Sequence, residues 1–242
     1  MSQFINPNLA IQDLAKSFKI DKRLKIENFL QQDIAERVRK ACLNHIPFSL
    51  HYVLDDKYQS KTREELAKMT QQETANISKR VISEASKGIG FLYEGYLKSR
   101  VNKDSNQTIN EELAFLHQIF DYMGSEEVLN IIKQITGNQE LKSAEPQYTR
   151  YTPGHFLTRH LDVVPGQERR YAFVLGLTQN WHPDWGGLLQ FYEKDGTPRD
   201  AWTPQFNVMS IFEVSHVHSV TYVTPFATEP RISLTGWFTA KE

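Results

Sequence analysis

Cysteine is almost missing from this chain: Cys42 is the only one in 242 residues. A single thiol excludes an internal disulfide, and its plain reading is a buried side chain in a reducing compartment. An excess of either charge is missing too, with 28 Lys and Arg against 29 Asp and Glu and a formal net charge of −1. No global field is therefore present to recruit nucleic acid or an acidic membrane surface. Long apolar runs are absent, since none approaches the ~20 residues that span a bilayer. The opening MSQFINPNLAIQDLAKSFKI lacks the basic start, continuous apolar centre and small-residue cleavage site of a secretory signal. These absences predict a cytoplasmic protein with no membrane partner. No internal repeat and no low-complexity segment is present either. What remains is 40% hydrophobic and 24% charged residues, an ordinary globular composition in a chain long enough to bury a real core.

Periodicity divides the chain in two. Residues 1–145 read as mostly helical. RLKIENFL (23–30) predicts a short strand leading into a helix, LQQDIAERVRKACLNHI, with Leu30, Ile34, Val38, Ala41 and Ile46 along one stripe. Pro47 stops that helix, and FSLHYVL (48–54) predicts a strand with Phe48, Leu50, Tyr52 and Leu54 on one face. TREE (62–65) has capping-box spacing and predicts the start of one long polar helix towards Gly88. VNKDSNQTINEE (101–112) predicts a polar loop; ELAFLHQIFDYM and SEEVLNIIKQITG predict two amphipathic helices, the second stopped at Gly137.

From residue 146 the pattern becomes short β-rich runs separated by TPG, VPGQE, HPDWGG, KDGTPRD and TPFATEP turns. The predicted class is α+β with a mainly β core, a sandwich or jelly roll buttressed by N-terminal helices. We expect one domain over residues 1–242: a helical buttress with the first strands at 1–145, and the β core at 146–242.

The chemistry starts at RHLDVV (159–164). Residues i and i+2 of a strand share a face, so His160 and Asp162 can aim an imidazole nitrogen and a carboxylate oxygen at one point. Alone, such a pair is more often a solvated surface feature. HVHSV (216–220) supplies a further histidine. Two histidines and one carboxylate occupy three corners of an octahedron and leave three positions open, which suits non-haem Fe(II). A tetrahedral zinc site more often uses three or four tight nitrogen and sulfur ligands, and Cys42 is far away in sequence. RISLTGWF (231–238) then places Arg231 and Ser233 on one strand face. A guanidinium beside a hydroxyl is a receptor for a carboxylate, such as the distal one of a dicarboxylic 2-oxo acid chelated to iron.

The strings YTPGHFLTRHLD, RRYAFVLGLTQNWHPDWGGLLQFY and HSVTYVTPFATEPRISLTGWF resemble the double-stranded β-helix of the 2-oxoglutarate- and Fe(II)-dependent dioxygenases. The likeness is strongest to the prolyl-hydroxylase branch, and the Arg169-Arg170 and RISLTGWF stretches are similar to the ribosomal prolyl hydroxylases. It covers about residues 145–240; nothing in 55–140 matches. The resemblance implies that His160, Asp162 and His218 hold iron, that Arg231 and Ser233 bind 2-oxoglutarate, and that Tyr151 borders the cosubstrate or substrate. Gly186-Gly187 would form a turn. His216 remains open as an alternative distal ligand, with His218 favoured by its H-x-V context. Where relatives carry a cosubstrate-binding tyrosine this chain has Gly176, leaving Tyr171 or Tyr192 as substitutes or the contact unfilled.

The resemblance further implies Fe(II), 2-oxoglutarate and O2, with ascorbate as an accessory reductant. The reaction would be hydroxylation of an unactivated C–H with release of succinate and CO2. The implied substrate is a prolyl residue of a protein, and the alternative is a free amino acid or small metabolite. No nucleic-acid partner is implied, and the oligomeric state is left open. Two other classes stay open at this point: a non-catalytic 2-oxo-acid or oxygen-sensing module, which has no reason to keep all four groups, and a zinc hydrolase, for which no general-base glutamate stands at a motif spacing. The remaining candidates carry ordinary explanations. His155 and His182 are expected to be exposed turn residues, Asp184 and Trp185 a turn acid and a packing aromatic. Trp237 is expected in the core, and Arg170 either paired with an acid inside the barrel or facing solvent.

Overall fold

The computed structural model describes residues 4–98 and 109–241. Twelve antiparallel strands form one curled sheet. Five of them run side by side in the order β1 (Arg23–Ile26), β10 (Val208–Glu213), β7 (Arg169–Gly176), β12 (Arg231–Thr239) and β5 (Ser143–Tyr151). The other half of the roll is β6 (Phe156–His160), β11 (His218–Val220), β8 (Leu189–Tyr192) and β9 (Pro198–Trp202). Strand β4 (Phe91–Tyr96) joins the halves, pairing with β5 through Glu94–Tyr96 and with β6 through Phe91 and Leu92. A side hairpin of β2 (Ser49–Leu54) and β3 (Lys57–Lys61) extends from β4. This is the expected double-stranded β-helix, an α+β fold with a mainly β core.

The two-residue period of a strand separates core from cavity. On β12, Ile232, Leu234 and Phe238 join the main apolar core, whereas Arg231, Thr235 and Trp237 line the cavity inside the roll. On β5, Tyr148 lies in the core and Gln147, Thr149 and Tyr151 line the cavity. The core face is covered by α1 (Ile11–Asp21), α2 (Gln32–His45), α5 (Glu111–Met123) and α6 (Glu126–Thr136). These helices supply Phe18, Val38, Leu116, Ile119, Val128 and Ile132, all fully or almost fully buried. Each such side chain contributes ~1.5–3 kcal/mol when removed from water, and the sheet and the helices need each other's apolar face.

Three expectations change. The helix predicted from Thr62 to Gly88 is two helices, α3 (Arg63–Ala67) and α4 (Gln71–Ala85). Both start with a complete capping box, Thr62 with Glu65 and Thr70 with Glu73, and the second box restarts the chain in a new direction. The loop predicted at 101–112 lies outside the described residues over 101–108, and its last two residues, Glu111 and Glu112, already belong to α5, capped by the Asn110 side chain. Finally, the strand carrying RHLDVV ends at His160, so Asp162 sits in the connection that follows.

Candidate metal centre

His160 closes β6, and His218 opens β11; the two are direct cross-strand partners. Their rings lie 4.2 Å apart between centroids. Asp162 turns back towards them and is buried, while its neighbours Leu161 and Val163 are exposed. Its two oxygens lie 3.6 Å from His160 Nε2 and 3.3 Å from His218 Nε2. One ligand atom from each of the three residues falls within 4.8 Å of the others.

The outer ring nitrogens decide what the inner ones present. His160 Nδ1 is 2.9 Å from the Thr158 carbonyl, and His218 Nδ1 is 3.0 Å from the His216 carbonyl. A carbonyl only accepts, so each Nδ1 carries the proton and each Nε2 turns a lone pair inward. Burial, with the neighbouring His160, pushes the His218 pKa down to about 4 and keeps that ring neutral. Burial would raise the Asp162 carboxyl, but the adjacent His160 and His218 side chains hold it below its usual value. Two imidazoles and one carboxylate, converging and largely buried, are a donor set for a divalent cation with open coordination positions. His216 is no part of this group: its Nε2 is 2.9 Å from the Asp21 carbonyl at the end of α1.

The same cavity, about 300 Å³, is lined by Tyr93, Thr149, Tyr151, Arg231, Thr235 and Trp237. Arg231 is 3% exposed, and among the described residues no carboxylate pairs with it. Its Nε has no hydrogen-bond partner, and its guanidinium carbon lies 5.0 Å from the Tyr151 ring centroid. A buried cation without a counter-ion is costly and calls for an anionic ligand. Tyr151 stacks on Tyr93 with centroids 5.3 Å apart at 17°, and burial pushes its pKa up, so its hydroxyl keeps its proton. Iron held by the three converging ligands, with a dicarboxylate reaching Arg231, fits these donors.

Ser233 is almost fully buried, but it opens on a small adjoining cavity of about 20 Å³ that Arg231 also lines. Gly176 has no room for any side chain: a Cβ there would lie 2.1 Å from the Gln205 carbonyl oxygen. Neither proposed tyrosine replaces the missing one. Tyr171 packs against Phe18 on the helix-covered face, and the Tyr192 hydroxyl is bonded to Ser219 at 2.8 Å. Gly186 and Gly187 form the expected turn, with φ of 69° and 60°.

Other expectations are corrected. His155 is 8% exposed rather than in solvent, because its ring folds back on the Thr152 backbone N–H. Trp237 is half-buried and lines the cavity, with the Arg169 guanidinium 3.4 Å from its ring centroid. His182 is exposed as expected, and Arg170 lies on the solvent side, paired with Glu168, rather than inside the barrel. Tyr93 and Thr149 escaped sequence reading. Thr149 had a signal, standing two positions before Tyr151 on one strand; Tyr93 lies in FLYEGY, an aromatic run that no motif marked.

Residues 146–239 match the family model described as the 2OG-Fe(II) oxygenase superfamily. The chain is 38% identical over 86 residues to mouse prolyl 3-hydroxylase OGFOD1, covering 33% of this chain and 15% of the relative. The Xenopus laevis prolyl 3-hydroxylase OGFOD1 is 32% identical over 114 residues, covering 44% of this chain and 22% of that protein. The chain thus matches less than a quarter of the length of these curated relatives. Among solved structures, a Pseudomonas putida prolyl-4-hydroxylase superposes with a TM-score of 0.57 at 17% identity, covering 96% of this chain and all of that one. A Trichoplax adhaerens prolyl hydroxylase, solved with a hypoxia inducible factor oxygen degradation domain peptide fragment, gives 0.59 at 15% identity, covering 94% and 87%. At such identities these two structures speak to the oxygenase fold alone.

Proposed function

We propose that this chain is a 2-oxoglutarate- and Fe(II)-dependent dioxygenase that hydroxylates a prolyl residue of a protein. The observation that carries the reading is the pairing, in one cavity, of a converging His160–Asp162–His218 group with the buried, unpaired Arg231 cation. In this reading the three ligands hold iron by their inward Nε2 and carboxylate atoms. Arg231, assisted by Ser233, binds the distal carboxylate of 2-oxoglutarate, and Tyr151 closes the cosubstrate's side of the pocket. Bound iron, cosubstrate and O2 supply the oxidising power for C–H hydroxylation, with succinate and CO2 as co-products. The chain's own work is positioning and water exclusion: β6 and β11 fix the histidines in register, and Tyr93 fixes Tyr151.

A protein substrate is supported by the surface beside the cavity. A groove of about 910 Å³ runs between the end of α4 and strands β6, β8 and β11. Ile89, Leu157 and Val220 line both groove and cavity, so an extended polypeptide in the groove would present one residue to the iron. The prolyl class rests on the OGFOD1 relatives, which are named as prolyl 3-hydroxylases. We read residues 1–242 as one catalytic unit, since the helices cover the apolar face of the oxygenase sheet. The lone buried Cys42 suits a reducing compartment such as the cytoplasm.

The test is to incubate the purified protein with Fe(II), 2-oxoglutarate and a cell lysate, then map peptides that gain one oxygen atom by mass spectrometry. The expected result is prolyl peptides whose oxygenation is absent with Asp162→Ala. Oxygenation confined to free amino acids or small metabolites would overturn the protein-substrate reading.

A further inference from the structure

We propose that Thr149 is a cosubstrate-binding residue whose hydroxyl supplies the hydrogen bond that Gly176 cannot. The proposal rests on the site reading given above, in which Arg231 receives the distal carboxylate of a 2-oxo acid.

Thr149 is 3% exposed, and its Oγ1 is a buried polar atom without a hydrogen-bond partner. A buried hydroxyl left unpaired costs free energy in the ligand-free protein, so its presence in an otherwise satisfied strand calls for a ligand. Arg231 Nε and Trp237 Nε1 are buried unpartnered atoms of the same cavity wall, and of these Arg231 carries the charge that a carboxylate needs. Strand register puts Thr149 and Arg231 on one diagonal of the same sheet face. On β5 and β12, Thr149 pairs directly with Ser233, and Tyr151 pairs with Arg231. Alternation then sends Thr149, Tyr151 and Arg231 to the same cavity. On its other edge Thr149 faces Gly95 of β4, whose missing side chain leaves that space to the His51 and Tyr93 rings.

The positions weighed from the sequence do not supply the missing donor. Gly176 is closed by the Gln205 backbone, Tyr171 belongs to the helix-covered core, and Tyr192 is committed to Ser219. A carboxylate takes more hydrogen bonds than one guanidinium edge supplies, and a hydroxyl donating to it forms a charge-assisted bond. The Thr149 hydroxyl is therefore a specificity element for dicarboxylic over monocarboxylic 2-oxo acids.

The experiment compares wild type with Thr149→Val, which replaces the hydroxyl by a methyl of similar size, and Thr149→Ser, which keeps it. Dissociation constants are measured by calorimetry without O2, on Mn(II)-loaded protein. The two ligands are 2-oxoglutarate and 2-oxopentanoate, whose distal end is a methyl. Loss of a hydrogen bond to a charged group predicts that Thr149→Val weakens 2-oxoglutarate about 10- to 100-fold. Thr149→Ser should stay close to wild type, and 2-oxopentanoate should bind all three proteins alike. The ligand-free Thr149→Val protein should melt no lower than wild type, because it loses an unsatisfied group.

Equal 2-oxoglutarate affinity in wild type and Thr149→Val would overturn the proposal, as would equal weakening of both ligands or a lower melting temperature without ligand. Failure of the underlying site reading looks different. There, wild type would not distinguish the two acids and Arg231→Met would bind 2-oxoglutarate as well as wild type, which removes the basis for Thr149 as well.

Discussion

His216 and His218 stand two positions apart, yet different parts of the molecule hold them. His218 is a strand residue opposite His160, whereas His216 lies in the preceding turn and bonds to the end of α1. His218→Ala should therefore abolish Fe(II) binding, measured by anaerobic calorimetry, while His216→Ala leaves it within a few-fold of wild type. Loss of iron only in the His216 variant would refute the ligand set. The histidines, Asp162 and Arg231 were legible in the sequence because each is a polar group set into an apolar, β-rich run. Thr149 and Tyr93 were not, since threonine and tyrosine are ordinary strand residues. Trp237 misled for the same reason: a strand-end aromatic reads as core, and only the register turns it into the cavity beside Asp162.

At the scale of elements, the strands after residue 146 were plain from period-two runs and turn residues, because both signals are local. The break between α3 and α4 was harder, since a capping box inside a polar stretch changes direction without changing composition. Thr70→Ala should destabilise α4 by about 1 kcal/mol, measured by denaturant unfolding. A larger local contribution comes from Asn207, which joins the start of β10 to the entry of α2. Its side chain accepts from Leu30 N at 2.9 Å and donates to Leu30 O at 2.8 Å, all buried. Its φ of 57° also suits Asn better than Ala. Asn207→Ala leaves two buried backbone groups unpaired at ~1–3 kcal/mol each. A loss of about 2–4 kcal/mol is expected by chemical denaturation, and a change below about 0.5 kcal/mol would show that water substitutes freely there.

Across the whole molecule, burial sets the response to acid. His155 and His117 both have pKa values lowered from 6.5, with burial the main cause. The unfolded chain takes up protons at these sites near pH 6.5, and the folded chain only at lower pH. Their contribution is thus present above about pH 6.5 and is lost as pH falls below it. His155→Asn should flatten the fall in unfolding free energy between pH 7 and pH 5; an unchanged slope would mean that His155 does not contribute. The same packing that buries these rings closes the roll around the metal ligands and Arg231. The account therefore turns on whether that cavity holds iron and 2-oxoglutarate together. The direct measurement is anaerobic titration of the protein with Fe(II) and 2-oxoglutarate, followed by admission of air. The predicted result is a visible metal-to-ligand charge-transfer absorption in wild type, absent in Asp162→Ala, and succinate formation once O2 enters. A wild type with neither the absorption nor succinate would contradict it.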